Sequence, residues 1–180
     1  MTDATKRIVL VLFLVAGAAA AWVALATFAR GDTEVTLSGA PECTGTRLRG
    51  SAEASAEITM LPGMRCEVPV EVRNTGWLPV TVDRLTVPLV GPHGGSAVML
   101  EDAEGDVDAI IYVGRDLDRG ETVEVVLTLV FRDDGCSSEG SITAVGGFPT
   151  ATVSAFGWGT SLASPEAVAF VGSAASSCDS

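Results

Sequence analysis

Residues 66–82 decide the fold, and they read CEVPVEVRNTGWLPVTV. From Cys66 to Val72 every second residue is apolar, and the residues between them are charged or proline. This alternation predicts a β-strand with one face buried and the other in water. Asn74-Thr75-Gly76 is a turn signal, and the alternation resumes at Val80. The stretch therefore predicts two strands that share one core and are joined by a tight turn.

The same pattern continues along the chain. Its clearest strand is Glu121–Arg132, about 40 Å long at 3.4 Å per residue. After Val82 the alternation slips by one residue at Asp83-Arg84, which predicts a β-bulge. Prolines cannot donate ladder hydrogen bonds, so Pro69, Pro79 and Pro88 are expected at strand starts, bulges or edges. Shorter strands are predicted at Glu34–Leu37, Glu57–Met60, Ala97–Leu100, Ala109–Val113, Ile142–Val145, Ala151–Phe156 and Ala167–Val171.

Many short strands separated by Gly, Pro, Asp and Ser are typical of a sandwich or barrel. Outside the N-terminal segment no long stretch has helical periodicity. The predicted fold class is therefore all-β: an immunoglobulin-like antiparallel β-sandwich over residues 30–172, followed by a polar tail at 173–180.

One stretch resembles a known family. Residues 68–76 and 79–82 follow the pattern V-x-N-x-G-x-x-P-V-x-V, which is similar to the first hairpin of bacterial immunoglobulin-like sandwich modules. The resemblance covers about 15 residues and implies a β-sandwich. It also implies a spacer, adhesion or accessory role rather than an enzyme.

The N-terminal segment, residues 8–29, carries no charge. As a helix it spans about 33 Å, against roughly 30 Å of bilayer hydrocarbon. Lys6 and Arg7 precede it, whereas acidic residues closely follow Arg30. The positive-inside rule then makes residues 1–7 a cytoplasmic stub and 8–29 a transmembrane signal anchor. The protein is thus expected in the cell membrane as a single-pass protein, with its C-terminal domain extracytoplasmic.

The alternative is a cleaved signal peptide and a secreted protein. Ala24-Leu25-Ala26 and Thr27-Phe28-Ala29 offer small residues at cleavage-like spacing. A signal peptide usually has an apolar core of about 7–15 residues, so the greater length here favours a retained anchor. Both alternatives place the domain outside the cytoplasm.

Charge excludes a nucleic-acid partner. The chain has 23 acidic and 11 basic residues, of which Asp3, Lys6, Arg7 and Arg30 lie in the first 30. The domain that follows keeps 22 acidic residues and 8 arginines, a net charge of −14. Nucleic-acid binding needs clustered Lys and Arg, and this footprint is absent from the sequence.

Four cysteines in an exported domain predict two disulfides. Cys43, Cys66, Cys136 and Cys178 allow three connectivities. We favour Cys43–Cys66, because the strand near Glu34 is expected beside the strand that starts at Cys66. The remaining bond would then tie the polar tail to the loop at Cys136.

Catalytic and metal motifs are weak, so we expect no enzyme and no cofactor. His93 is the only histidine, and it lies among glycines with no Gly-x-Ser-x-Gly motif in the chain. No sequence pattern brings two carboxylates into a cleft. Met60, Met64 and Cys66 are soft ligands suited to Cu(I), but core methionines beside a disulfide cysteine are the plainer explanation.

Calcium is the metal that the sequence favours most. Asp102, Glu104, Asp106 and Asp108 place acids at alternate positions. An EF-hand starting at Asp102 would need Gly and Glu where this chain has Val107 and Val113. The remaining alternatives are an inter-strand Ca²⁺ site and a solvated acidic hairpin tip.

Trp77 and Trp158, both in glycine-containing turns, are the candidates for a contact surface. The alternative is that they cap the ends of the sandwich core. The sequence thus predicts a membrane-anchored, non-enzymatic protein-interaction or accessory module at the cell surface, with an unidentified protein partner. The alternative function is an extracytoplasmic sensor domain that binds a ligand or Ca²⁺.

The anchor prediction is tested by the intact mass of protein extracted from membranes. A retained anchor gives the mass of the full chain, 18.4 kDa. A mass lower by about 2.5–3 kDa would show signal cleavage and contradict the anchor.

Overall fold

The computed structural model describes residues 3–49 and 56–178. One long helix is followed by short strands, as the sequence predicts in outline, and then by a final 3₁₀ turn within the predicted polar tail. The elements are α1 (Asp3–Gly31), β1 (Thr33–Leu37), β2 (Glu42–Thr44), β3 (Leu48–Arg49), β4 (Ala56–Thr59), β5 (Arg65–Asn74), β6 (Val80–Val87), β7 (Val98–Leu100), β8 (Ala109–Leu117), β9 (Thr122–Phe131), β10 (Ile142–Gly146), β11 (Thr150–Ala155), β12 (Trp158–Ala163), β13 (Ala167–Val171) and the 3₁₀ turn Ala174–Ser176.

The helix α1 is long and apolar enough, over Ile8–Phe28, to cross a membrane by length and composition. Its large apolar side chains, such as Phe13 and Leu14, are exposed. A contiguous exposed apolar surface of this kind is unfavourable in water and suits lipid or a partner. Ala26, near the end of the helix, is fully buried.

The strands of the described residues form three sheets. The first has the order β1-β5-β9-β7, with β2 also paired to β5. The second has the order β12-β11-β6-β8, and the third β10-β13-β4-β3. Among the strands of residues 3–49 and 56–178, every pair is antiparallel except β4 with β13, which run parallel. The all-β, immunoglobulin-like sandwich with an N-terminal apolar helix is therefore the fold of this chain, and this one pair departs from the expected antiparallel pattern.

One hydrophobic core joins the three sheets. Cys66, Val68, Val70 and Val72 of β5 are all completely buried, as the alternation predicts. Each sheet contributes to the same cluster: Leu127 and Leu129 from the first, Val82 and Leu85 from the second, Ile58 and Phe170 from the third.

The strands on either side of the Asn74-Thr75-Gly76 turn are not a hairpin, so this part of the family resemblance is wrong. β5 pairs with β1 and β9, whereas β6 pairs with β8 and β11. The turn carries the chain from one sheet across the core to the other. Alternation alone does not distinguish a hairpin from a crossing between sheets, because a strand of either sheet buries every second side chain.

The predicted bulge is confirmed, and the predicted proline positions are only partly right. The register of β6 against β8 shifts between Val82 and Arg84. Pro79 and Pro88 flank β6, as expected, but Pro69 lies in the middle of the central strand β5. Ser38, just after β1, donates its N–H to the Pro69 carbonyl at 3.0 Å. Pro69 has no N–H to donate to β1. This is tolerated because β1 ends opposite Pro69, so no strand carbonyl there is left without a donor.

Three strands are missed by the sequence patterns, namely β2, β3 and β12. The first two contain only three and two residues, too few to show a period. The third, Trp158–Ala163, contains Gly159 and small polar residues. Its pairing with β11 comes from the hairpin between them.

Both disulfides are present, joining Cys43 to Cys66 and Cys136 to Cys178. The first links the paired strands β2 and β5. The second disulfide ties the predicted polar tail, at Cys178, to the loop that contains Cys136. The tail also packs on the domain, because Ser173 Oγ donates to the Met60 carbonyl at 2.7 Å.

Asn74, at the end of β5, is the one buried asparagine of the described chain. Its Nδ2 donates to the carbonyls of Leu78 and Leu117, at 2.9 and 3.0 Å. Its Oδ1 accepts the Gly76 N–H at 2.9 Å. One side chain therefore holds the crossing turn against the end of β8.

Asn74→Ala is expected to lower the free energy of unfolding by about 2–4 kcal/mol, because it leaves buried carbonyls without donors. Chemical denaturation of the full chain in detergent measures the change. The matched control is Thr75→Ala, which removes an exposed hydrogen bond to the Asp32 carbonyl. The control should cost less than about 1 kcal/mol. Equal losses for the two variants would contradict the role of Asn74.

Candidate functional site

The sandwich has two ends with different chemistry. The helix-proximal end lies beside the junction of α1 and β1, since Thr33 pairs with Asn74 and Asn74 bonds to Glu121. It comprises residue 32 and the turns 74–79, 118–121 and 155–158. The distal end comprises the loops 88–97, 101–108 and 133–137.

Trp77 lies in the crossing turn at the helix-proximal end. Its side chain is 70% exposed, and the Arg119 guanidinium lies 3.5 Å from the ring centroid. A cation over an indole face is attracted by the negative face of the ring. Gly76 is needed in this turn, because a Cβ there would lie 2.8 Å from Cβ of Asp32. The close approach fixes the Trp77 turn against the start of the domain.

Trp158 and Phe156 lie on the β11–β12 hairpin at the same end. Trp158 is 51% exposed and Phe156 40% exposed. Phe156 contacts the helix: its ring centroid lies 5.2 Å from that of Trp22, in an edge-to-face arrangement. The Trp22 Nε1 donates to the Phe156 carbonyl at 3.2 Å. The hairpin therefore packs on α1 while its aromatic residues remain about half exposed.

The two tryptophans singled out in the sequence are thus brought to one end of the molecule. Neither tryptophan belongs to the core cluster of the described residues. Sequence reasoning included Phe156 in the Trp158 turn but missed Trp22, the helix residue that Phe156 contacts.

A cleft opens along one side of the sandwich, between β1 of the first sheet and β12 of the second. Its volume is about 610 Å³, and its lining includes Thr33, Val35, Ser161 and Leu162. Both strands are sheet edges. Thr33 is 8% exposed and its Oγ1 has no hydrogen-bond partner. A buried hydroxyl without a partner is an unusual feature that a bound group would satisfy.

The main chain of β1 also faces this cleft. Ser38 donates its N–H to β5, whereas Leu37 donates outward to the Glu166 carboxylate at 2.5 Å. Because N–H groups of an antiparallel edge strand alternate in direction, those of Thr33 and Val35 point outward as Leu37 does. The cleft thus offers main-chain hydrogen-bonding groups as well as apolar side chains.

The acidic loop at the distal end does not gather its carboxylates. Asp102, Glu104, Asp106 and Asp108 are all exposed. Asp106 Oδ1 lies 2.7 Å from His93 Nδ1, and Asp108 Oδ1 accepts the Leu89 N–H at 3.0 Å. Among residues 3–49 and 56–178, no group of three or more His, Cys, Asp or Glu residues is placed to hold a metal ion.

His93 therefore has a local structural partner. The His93 and Asp106 side chains are 80% and 79% exposed. The loop that carries His93 is held by Arg132, whose guanidinium donates to the carbonyls of Gly91 and Pro92. The pair joins the two distal loops at the surface.

The soft-ligand cluster is not available as a metal site in this state of the protein. Met60 and Met64 are buried in the core, and the sulfur of Cys66 is bonded to Cys43. A disulfide sulfur is not a thiolate, and the thiolate is the form that binds metal. The two methionines are core residues beside a disulfide.

Comparison with known proteins adds little. No family model and no curated protein matches the chain. Among solved structures, the ASH or PapD-like domain of human CEP192 (PapD-like domain 7) is 15% identical, with a TM-score of 0.35, over 72% of this chain and 85% of that one. A beta-glucosidase from Paenibacillus barengoltzii is 16% identical, with a TM-score of 0.21, over 74% of this chain and 14% of that one. At these TM-scores the likenesses carry no information on function.

Millimolar Ca²⁺ is expected to leave the melting temperature of the full chain unchanged, because the four acidic side chains are dispersed. A ligand that binds only the folded state would raise stability by RT ln(1 + [L]/Kd). Thermal melts with and without Ca²⁺ test this, with Asp106→Ala as the matched variant. A rise of several degrees that Asp106→Ala abolishes would restore the calcium hypothesis.

Proposed function

We propose that this chain is a single-pass membrane protein whose extracytoplasmic sandwich is a non-enzymatic module that binds another protein. Residues 1–7 are the cytoplasmic stub, 8–29 the span, 30–172 the domain and 173–180 its tail. The apolar length of α1 and the two disulfides support this arrangement, since disulfides persist in oxidising compartments.

The observation that carries the binding role is the side cleft between β1 and β12. An extended segment of a partner can add to an open sheet edge through main-chain hydrogen bonds, with side-chain pockets setting specificity. Here the edge of β1 supplies outward main-chain groups, and Thr33 Oγ1 supplies a buried hydroxyl without a partner. The volume of about 610 Å³ is enough for several side chains of such a segment.

The charge around the cleft indicates the kind of partner. Glu34 lines it, and Glu166 lies at the end where it binds Leu37. The whole domain has a net charge of −14, from 22 acidic residues and 8 arginines after residue 30. Like charges across an interface suppress binding, whereas opposite charges speed association. The preferred partner segment is therefore extended, partly apolar, and neutral or basic.

Site-specific photo-crosslinking in native membranes tests the proposal. A benzoylphenylalanine at Thr36 or Ser161 places the reactive group in the cleft. We expect each position to give a protein adduct of one defined mass. The adduct should form because the proposed partner segment occupies the cleft, next to the reactive group.

The matched control is the same probe at Thr86, a half-buried threonine in the strand β6, outside the cleft. Adducts of equal yield from Thr36 and Thr86, or no protein adduct from either cleft position, would contradict the proposed function.

A further inference from the structure

We propose that the helix-proximal end of the sandwich sits in the lipid headgroup layer, with Phe156 and Trp158 as its lipid contacts. The occupant of this aromatic surface is the membrane that α1 itself crosses. The inference rests on the retained span of the proposed function, and goes beyond it by assigning a second membrane contact to the folded domain.

The first argument is the absence of a linker. α1 ends at Gly31 and β1 begins at Thr33, so Asp32 alone lies between helix and domain. The Asp32 carbonyl accepts both the N–H and the Oγ1 of Thr75, at 2.8 and 2.6 Å. The crossing turn is thus bonded to the residue that leaves the helix. A domain attached in this way cannot stand clear of the bilayer.

The second argument is depth. Phe156 contacts Trp22, which lies six residues before the end of the apolar stretch at Phe28. Six residues correspond to about 9 Å along the helix axis. The hydrocarbon core is about 30 Å thick, with several ångströms of interface on each side. A span that ends near Phe28 therefore places the turns beside Asp32 among the headgroups, and the hairpin tip, at the level of Trp22, below them in the outer part of the acyl chains.

The third argument is the chemistry of the tip. Phe156 has φ +53° and Gly157 has φ +81°, the two positive values of a type I′ turn. Asn is the residue that usually fills the first of these positions, and a phenylalanine there is strained. The ring of Phe156 and the indole of Trp158 are both partly exposed. Aromatic residues, Trp above all, are enriched where protein meets the membrane interface.

Charge indicates which lipid surface this end tolerates. Asp32, Asp118 and Glu121 lie at the helix-proximal end, and Arg119 is engaged with Trp77. Carboxylates repel anionic headgroups, so the proposed contact does not depend on anionic lipid. The tip is suited to zwitterionic lipid, and pure phosphatidylcholine is the probe.

The test uses the full chain in phosphatidylcholine nanodiscs, with lipids brominated either near the headgroup or near the chain end. Bromine quenches tryptophan fluorescence only at short range. Three variants each keep one tryptophan, with the others changed to Phe: one keeps Trp22, one keeps Trp158, and the third carries Val107→Trp. Val107 is exposed in the distal loop and serves as the matched control.

We expect shallow bromine to quench Trp158 at least half as strongly as Trp22, and to leave the tryptophan at position 107 unquenched. Quenching of Trp22 with Trp158 at the level of the distal control would overturn the lipid contact and leave the anchor intact. If neither brominated lipid quenches the fluorescence of Trp22, α1 does not span the membrane, and both proposals are overturned.

A second variant separates lipid contact from folding. Phe156→Asn gives the turn its preferred residue, so the melting temperature should stay within a few degrees of the parent. Quenching of Trp158 by lipid brominated near the headgroup should nevertheless fall by half or more in Phe156→Asn. In Phe156→Tyr this quenching should stay at the level of the parent. Unchanged quenching in Phe156→Asn would overturn the assignment of Phe156 as a lipid contact.

Discussion

The arrangement of the domain depends on the amide side chain of Asn74. A chain that leaves one sheet and enters the facing sheet must turn at the edge of the core, where main-chain carbonyls lose their ladder partners. Asn74 supplies two donors to such carbonyls, at Leu78 and Leu117, and an acceptor to Gly76. The main chain of Asn74 also bonds to Gly120 and Glu121. Three segments are therefore held at a fixed position relative to one another.

This constraint also determines what the surface presents. Because the crossing turn is fixed, Trp77 projects outward beside the Arg119 turn, and the start of β6 sets the register of β11. The β11–β12 hairpin then ends beside α1, where Phe156 meets Trp22. The opposite end is held covalently, by Cys43–Cys66 and Cys136–Cys178. The helix-proximal end is therefore fixed by hydrogen bonds, and the distal end by disulfides.

The two proposed contacts lie on different faces and require different partners. The cleft between β1 and β12 exposes main-chain groups along a sheet edge, which suits an extended polypeptide. The turns beside α1 expose aromatic rings on short, fixed loops, which suits the membrane interface. If both are occupied, the membrane contact orients the domain, so that its side cleft faces along the bilayer and its acidic loops face away from it.

Local patterns in the sequence determined much of this protein. They predicted the apolar helix, the buried face of β5, the bulge at Asp83-Arg84 and two disulfides, because each depends on residues close in the chain or on composition. Tertiary structure alone decided that residues 74–79 cross between sheets, that Pro69 lies in a central strand, and that Trp22 and Phe156 meet. These features depend on which strands pair and where distant turns come together, and an alternating pattern is the same whichever sheet its strand joins.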